Sequence, residues 1–185
     1  MTMQNEWLDR AQKGDCEAQF MVGYSYLTGE DGFEQSMSKA LDWLEKSANQ
    51  GYIPAQHSMG IFYFQILRNE KEALPWFEKA AKQGNANSMT FLGILYSNGE
   101  DIPHDDRVAA FWLKKACEDH DFSQESKACG FLASLYLRGA GVSQSAEEAH
   151  KYLLRAVKAG GDGSDTAAET LAKLEQALPH LKKRR

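Results

Sequence analysis

The stretch of sequence that decides the fold is ACGFLASLYLRGAGVSQSAEEAHKYLLRAVKAG, which comprises residues 128–160. Its first half has small residues at Ala128 and Ala133 and larger ones at Leu132 and Tyr136. Counted from Ala128, the offsets of four, five and eight residues place all four side chains on one face of an α-helix. The first half therefore predicts a helix whose packing face is partly made of small residues.

The second half of the stretch predicts another helix and its C-terminal cap. Ala149, Tyr152 and Leu153 recur with helical spacing. Arg155 then falls in the last turns, and Gly160 follows the predicted end. A basic residue suits the negative C-terminal end of a helix, and a glycine just after it readily takes the left-handed cap conformation. The whole stretch therefore predicts a helical hairpin.

The same hairpin pattern occurs three more times towards the N-terminus. First-helix copies occupy residues 18–26, 55–63 and 88–96, and second-helix copies occupy 40–51, 73–84 and 109–120. The four copies begin at residues 18, 55, 88 and 128, so the repeat period is 33 to 40 residues. That period is typical of helical solenoids, in which stacked units bury faces that one hairpin cannot bury alone.

Two repeated positions predict how the helices pack. Small residues on the first helices are expected to face the alanines that open the second helices, so that the two helices approach closely. The small residues are Gly23, Gly60, Gly93 and Ala133, and the alanines are Ala40, Ala73, Ala109 and Ala149. Aromatic rings at the second position are expected to fill the groove towards the neighbouring unit. They belong to Trp43, Trp76, Trp112 and Tyr152.

These residues resemble the Sel-one-like repeat, a relative of the tetratricopeptide repeat with a longer, glycine-bearing loop between its helices. The family loop element Gly-x-Gly-Val appears at residues 139–142, and related loops occur at residues 29–32 and 99–103. The second copy departs from the pattern, because its loop at residues 66–70 is shorter and has no glycine. Residues 119–125 also depart from it, since they lengthen the connection between the third and fourth units.

The resemblance implies an all-α fold, a right-handed α-solenoid superhelix of four helix-hairpin repeats. The sequence is interpreted as one domain, residues 1–185, with a partial N-terminal unit and a C-terminal capping helix that covers the last repeat. Thr166 and Glu169 have the spacing of a capping box at the start of that helix. The predicted boundaries are 6–14 for the half-unit, 15–51, 52–84, 85–120 and 124–160 for the repeats, 164–178 for the capping helix and 179–185 for a basic tail.

Composition and charge exclude several classes of function. The 185 residues include 21 Lys and Arg against 26 Asp and Glu, so the concentrated positive charge that nucleic acid binding requires is missing. The longest dense apolar stretch, residues 61–64, is too short for membrane insertion. Residues 1–14 lack the apolar core of a secretory signal. We expect a cytoplasmic protein, or a periplasmic or secreted one if an upstream signal sequence was removed.

Residues with catalytic or metal-binding chemistry do not form a recognisable motif. The five histidines include no i, i+4 pair, and the nucleophile, phosphate-binding and dinucleotide motifs are absent. His104 precedes Asp105 and Asp106, one of which is expected to start the following helix. Cys117 and Cys129 are expected to be buried thiols, with a bridge as the alternative, because secreted cysteine-rich members of the family join their helices with disulfides. We expect no catalytic residues, no cofactor and no metal.

The first helices carry the remaining candidate site. In the resembled family they line the concave side of the array, so their outward side chains form the expected partner-binding surface. We call this set the first-helix surface, and it comprises Phe20, Tyr24, His57, Ile61, Gln65, Thr90, Ile94, Asn98, Ser134 and Arg138. Its mixture of aromatic, aliphatic and hydrogen-bonding groups suits a protein or peptide partner.

The sequence therefore predicts a non-catalytic adaptor that holds a peptide segment or a protein domain on this concave surface. Members of the resembled family act as scaffolds in signalling, protein quality control, secretion and host interaction, and most examples are bacterial. The alternative is a secreted or periplasmic effector or immunity-type factor with the same fold. The protein is expected to be a monomer, or a weak homodimer formed through its open N-terminal end near Trp7.

Overall fold

The computed structural model describes residues 3–118 and 124–184, and within them it contains helices and no β-strand. The helices are α1 (Met3–Gln12), α2 (Cys16–Thr28), α3 (Met37–Asn49), α4 (Ile53–Ile61), α5 (Glu70–Lys82), α6 (Ala86–Asn98), α7 (Asp106–Ala116), α8 (Glu125–Arg138), α9 (Ala146–Ala159) and α10 (Ser164–Ala177). A π-helical segment (Phe62–Ile66) extends α4, and a 3-10 turn (Leu181–Arg184) follows α10. The predicted all-α fold is confirmed. None of the described helices combines the length and apolar character needed to cross a bilayer.

The helices belong to two compact units, Met1–Gln83 and Gly84–Arg185. The first unit contains α1 and the hairpins α2–α3 and α4–α5, and the second contains α6–α7, α8–α9 and α10. Within each unit the two helices of a hairpin pack against each other, and successive hairpins meet where α3 contacts α4 and where α7 contacts α8. Each unit therefore holds two of the four predicted repeats, while the single-domain interpretation stays a prediction.

Polar side chains directly before the helices determine where several of them start. Asp15, Asn69, Asn85 and Ser145 each accept a hydrogen bond from the backbone N–H three residues later, at 3.0, 3.1, 2.8 and 3.2 Å respectively. Asp105 accepts from the N–H groups two and three residues later, at 2.9 and 3.2 Å. These bonds satisfy N–H groups that have no partner inside the helix. The predicted helix-start role is thus confirmed for Asp105.

The glycines of the first helices lie closest to a large side chain of the second helix, and not to the side chains of the predicted alanines. A Cβ atom added at Gly23 would lie 2.8 Å from Leu44 Cγ, and one at Gly60 would lie 2.6 Å from the ring of Phe77. Leu44 and Phe77 are fully buried. The predicted alanine is also close, since a Cβ at Gly23 would lie 3.1 Å from the carbonyl oxygen of Ala40. The glycines therefore make room for the large residue that directly follows each tryptophan.

Trp43 and Trp76, the two repeated tryptophans of the first unit, are half-buried against the preceding half-unit and hairpin respectively. Trp43 packs against a buried cluster that includes Ala11 and Val22. Trp76 packs against the next cluster, which includes Leu44. Because one hairpin cannot cover such large rings, this packing couples each hairpin to the hairpin or half-unit before it. The predicted filling of the groove towards the neighbouring unit is confirmed for these two rings.

A lysine lies over the ring of each of these tryptophans. The Nζ atom of Lys46 is 4.3 Å from the ring centroid of Trp43, and that of Lys79 is 3.9 Å from the centroid of Trp76. Each lysine follows its tryptophan by three residues, so the two side chains are neighbours on the helix surface. The ammonium group is attracted to the ring face and also suits the negative end of the helix. The lysine thus covers part of the ring that the hairpins leave exposed.

Two glycines shape the Gly-x-Gly-Val loop of the fourth repeat. Gly139 ends α8 in the left-handed conformation, with φ of 66°, and its N–H donates to the carbonyl of Leu135. Gly141 has φ of 68° and approaches the first turn of α7 so closely that an added Cβ would collide with the backbone of Asp106. The family loop element therefore serves as a contact between the fourth repeat and the third.

The second repeat ends its first helix differently, because it has no glycine at this point. The chain leaves α4 through the π-helical segment, and Arg68 then takes the left-handed conformation with φ of 52°. A residue with a Cβ adopts this conformation at some energetic cost. The shorter loop that the sequence predicts here is thus accommodated by a wider helical turn and one strained residue.

Helix α10 ends the second unit by packing on α9 and α8. It begins at Ser164, so Thr166 lies inside the helix and the capping-box prediction is wrong. His150 of α9 and Glu175 of α10 are both buried, and their Nε2 and Oε1 atoms are 3.0 Å apart. In the basic tail, Leu181 is buried within the 3-10 turn. A polar contact and apolar burial therefore both hold this end of the unit together.

Candidate partner-binding surface

In the first unit, the first-helix surface lies on α2, on α4 and on the π-helical segment. Tyr24 is 47% exposed and Gln65 is also exposed, whereas Phe20 and Ile61 are half-buried. The ring centroid of Phe20 lies 6.3 Å from that of Tyr24 and 5.5 Å from that of Tyr52. The structure thus brings an exposed tyrosine on α2 close to Phe20, whose ring also contacts that of Tyr52.

His57 contributes to helix packing more than to an open surface. Its ring centroid lies 5.9 Å from that of Phe77 on the facing helix. Burial lowers the pKa of His57 to about 4, because the charged imidazolium would lose its hydration there. His57 is therefore neutral at physiological pH and presents no positive charge to a partner.

In the second unit, four of the five predicted residues have accessible side chains and one does not. Thr90 is fully buried, and its hydroxyl donates to the carbonyl four residues earlier at 3.0 Å. Its inclusion in the surface is wrong, because this local bond satisfies the hydroxyl and allows the side chain to face the core. Ile94 and Ser134 are half-buried, and Asn98 and Arg138 are exposed.

Next to Ser134 lies a cavity that the sequence analysis did not identify. It lies between α8, α9 and α10 and has a volume of about 350 Å³. Its lining residues are Ser126, Lys127, Gly130, Phe131, Ser134, Leu153, Gly163, Thr166, Ala167 and Thr170. Gly130 occupies the register position of Phe20 and His57 in the first two repeats, and a Cβ added there would meet no atom within 4 Å. This missing side chain is the sequence signal that indicates the cavity.

Two ion pairs involve residues at the start of α8. Arg155 on α9 donates through Nε to Glu125 Oε1 at 2.6 Å and also to the carbonyl of Cys117. Glu125 is buried and Arg155 is partly exposed, so the pair connects α9 to the start of α8 at the edge of the core. At the edge of the cavity, Lys127 Nζ lies 2.5 Å from Asp162 Oδ2. Lys127 is the charged residue among those that line the cavity, and its pairing with Asp162 compensates that charge.

The two buried cysteines of the second unit are in contact as free thiols. The Sγ atoms of Cys117 and Cys129 lie 2.9 Å apart. The hydrogen bond with Cys129, together with burial, raises the pKa of Cys117, so this thiol is protonated at neutral pH. The expectation of buried thiols is confirmed. Across residues 3–118 and 124–184 no three His, Cys, Asp or Glu side chains converge as metal ligands would.

The capped hairpins, their glycine loops and the outward first-helix residues define a helical repeat protein of the tetratricopeptide-like class. A family model described as Sel1 repeat matches residues 16–52, 53–85, 86–121 and 126–161. These matches cover most of the chain. The chain therefore belongs to the Sel1 repeat family, as the resemblance predicts.

Two solved structures have a similar fold. The chain is 25% identical to c5321, a protective antigen present in uropathogenic Escherichia coli strains, with a TM-score of 0.78 over 85% of this chain and 33% of that one. It is 28% identical to a Sel1 repeat protein from Oxalobacter formigenes, with a TM-score of 0.78 over 92% of this chain and 48% of that one. It thus spans about a third and about half of these two chains. No curated protein matches the chain.

Proposed function

We propose that this chain is a non-catalytic scaffold that binds a peptide segment or a protein domain through the exposed members of the first-helix surface. The observation that carries the proposal is Tyr24, whose side chain is 47% exposed on α2 beside the ring of Phe20. Tyrosine is among the residues that contribute most to binding at protein interfaces. Sel1 repeat proteins generally bind protein partners, which supports the same function.

The second unit offers complementary groups for the same task. Arg138 and Asn98 expose hydrogen-bonding groups on α8 and α6, and Ile94 adds apolar area on α6. These side chains are held on helices, so a partner would meet a preformed surface and little ordering entropy would be lost. Specificity would then arise from different side chains at the same register position of successive repeats.

The proposal is tested with two substitutions that remove similar exposed area from different helices. Tyr24→Ala changes the first-helix surface, whereas Met37→Ala changes a 48% exposed residue on the second helix of the same hairpin. A partner captured from the native cells is purified, and its affinity is measured by calorimetry. We expect Tyr24→Ala to weaken binding by about tenfold or more and Met37→Ala to change it less than about twofold.

A contrary result would be wild-type affinity in both Tyr24→Ala and Arg138→Ala. These residues are exposed members of the surface in the two units, so retention of affinity in both would place the partner elsewhere. Loss of affinity in Met37→Ala alone would move the site to the second helices. In either case the proposed use of the first-helix surface would be wrong.

Cellular location separates this proposal from the alternative of a secreted or periplasmic effector or immunity-type factor with the same fold. Recovery of the native protein from the cytoplasmic fraction supports the adaptor, and recovery from the periplasm or the medium supports the alternative. The prediction of a monomer or weak homodimer is tested by sedimentation of the wild type and Trp7→Ala. Trp7 is a half-buried ring on α1, at the N-terminal end of the first unit.

A further inference from the structure

The cavity between α8, α9 and α10 has the size of a ligand site. Its volume of about 350 Å³ falls at the lower end of the range for ligand pockets. An apolar cavity of about 150 Å³ already admits benzene. Phe131, Leu153 and Ala167 give this cavity apolar walls. An aromatic ring with a short substituent therefore fits its size and its lining.

The charges around the cavity favour an uncharged occupant. Lys127 is a cationic residue of the wall, and its ammonium group lies 2.5 Å from the carboxylate of Asp162. A charged ligand would lose hydration on entering apolar surroundings. The ammonium group of Lys127 would not compensate this loss for an anion, because it is already paired with Asp162. The expected occupant is therefore a neutral group.

Ser126 indicates that the occupant of the cavity carries a hydrogen-bonding atom. This residue lines the cavity and is 3% exposed, and its Oγ has no hydrogen-bond partner among the residues that the structure describes. Buried hydroxyls nearly always have a partner. Rotation about the Cα–Cβ bond to another staggered position lets the hydroxyl meet a bound group. A phenol both donates and accepts, so it can pair with the serine in either direction.

We infer that this cavity binds a tyrosine side chain that belongs to the protein partner. The inference rests on the proposed function, because Ser134 belongs both to the cavity wall and to the first-helix surface. A peptide that crosses α8 can thus insert one side chain between α8 and α10. Gly130 keeps the space open for it, since a larger residue at this position would occupy the cavity.

The test uses N-acetyl-tyrosinamide as the probe and the full chain labelled with ¹⁵N for NMR. We expect saturable changes in the amide shifts of Gly130, Gly163 and Thr170, with a midpoint of about 1 mM. N-acetyl-phenylalaninamide, which lacks the hydroxyl, is expected to bind about fivefold more weakly. Ser126→Ala is expected to reduce the affinity for the tyrosine probe to that level and to leave the phenylalanine probe unchanged.

A matched pair of substitutions controls for effects outside the cavity. Gly130→Leu fills the cavity and is expected to abolish the shift changes. Ala168→Leu adds the same side chain at an exposed position of α10 and is expected to retain them. Thermal unfolding of both variants checks that they fold. If the leucine variant does not fold, Gly130→Ala replaces it in the test. Its added Cβ meets no atom within 4 Å, and this smaller side chain is expected to weaken binding of the probe.

Three results would overturn the inference. They are the lack of saturable shift changes, their persistence in Gly130→Leu, and equal affinities for both probes with no effect of Ser126→Ala. None of these measurements requires the protein partner. If the probe does not bind but partner binding depends on Tyr24, the tyrosine site alone is rejected. If the probe binds but partner binding does not depend on Tyr24, the proposed scaffold surface alone is rejected.

Discussion

Alanine substitution is expected to have opposite effects on stability at Gly93 and at Gly130, which lie on the first helices of the two repeats in the second unit. A Cβ atom added at Gly93 would lie 2.7 Å from Leu113 Cδ2, and closer still to Cγ. Carbon atoms pack at about 3.5–4.0 Å, and Leu113 is fully buried. A Cβ atom at Gly130 would meet no atom within 4 Å.

The magnitude follows from these two environments. An overlap of about 1 Å at Gly93 has to be relieved by displacing Leu113 or by separating α6 from α7, and such overpacking costs about 1–3 kcal/mol. Replacing glycine with alanine inside a helix gains about 0.5–1 kcal/mol. We therefore expect Gly93→Ala to lower the free energy of unfolding by about 1–2 kcal/mol. Gly130→Ala is expected to raise it by about 0.5–1 kcal/mol.

Urea unfolding followed by circular dichroism measures both changes, with equal m-values showing that the same surface is exposed on unfolding. A second variant, Gly93→Ala combined with Leu113→Val, removes one methylene group at the contact and is expected to recover part of the lost stability. If Gly93→Ala were as stable as Gly130→Ala, the close contact with Leu113 would not be the reason for the glycine.

Three further predictions concern other contacts. Burial lowers the pKa of His57 from 6.5 to about 4. Between these two pH values the imidazole is protonated in the unfolded chain and neutral in the folded chain. Stability should therefore fall by up to about 3 kcal/mol as the pH drops from 6.5 to 4, and His57→Gln should lack this part of the slope in urea unfolding at each pH. Gly141→Ala should lower the melting temperature more than any change at an open glycine, because its Cβ would collide with Asp106; an unchanged melting temperature would contradict that contact. Arg155→Met should cost about 1–3 kcal/mol in urea unfolding, because Glu125 would lose the hydrogen bond from the guanidinium, and a loss below about 0.5 kcal/mol would contradict a stabilising role of this pair.

Local signals that recur in each repeat predict the helices and some of their caps. Asp105, which is predicted to start a helix, caps α7 with its side chain, and the predicted glycine-bearing loop at residues 139–142 directly follows α8. These features depend on residues within one turn of each other, so spacing alone reveals them. Two caps differ from the prediction: Gly163, directly before α10, provides no side-chain cap, and Gly160 after α9 has ψ of −168°, which lies outside the left-handed helical region.

Packing between helices was predicted less well, since it depends on distances that spacing does not determine. The repeat pattern shows that Gly23 needs a close neighbour, but Leu44 and the nearby alanine lie one turn apart on the same face of α3. For the same reason the repeat register predicts that Thr90 lies on the surface, although the side chain of Thr90 is fully buried in the third repeat. Gly130 in place of the larger residues of the other repeats is a sequence signal of the cavity, but it does not show which helices enclose the space, since that depends on how α10 packs on α8 and α9.

The lysines that cover Trp43 and Trp76 have a practical consequence for handling this protein. Reagents that acylate amines, including common dyes and sensor-chip chemistry, would neutralise the ammonium groups and detach them from the indoles. Both rings lie at contacts between successive helices, so such labelling would loosen the first unit while leaving the sequence unchanged. Immobilisation through an enzymatically attached C-terminal tag avoids these amines and keeps the surface that carries Tyr24 in its native state.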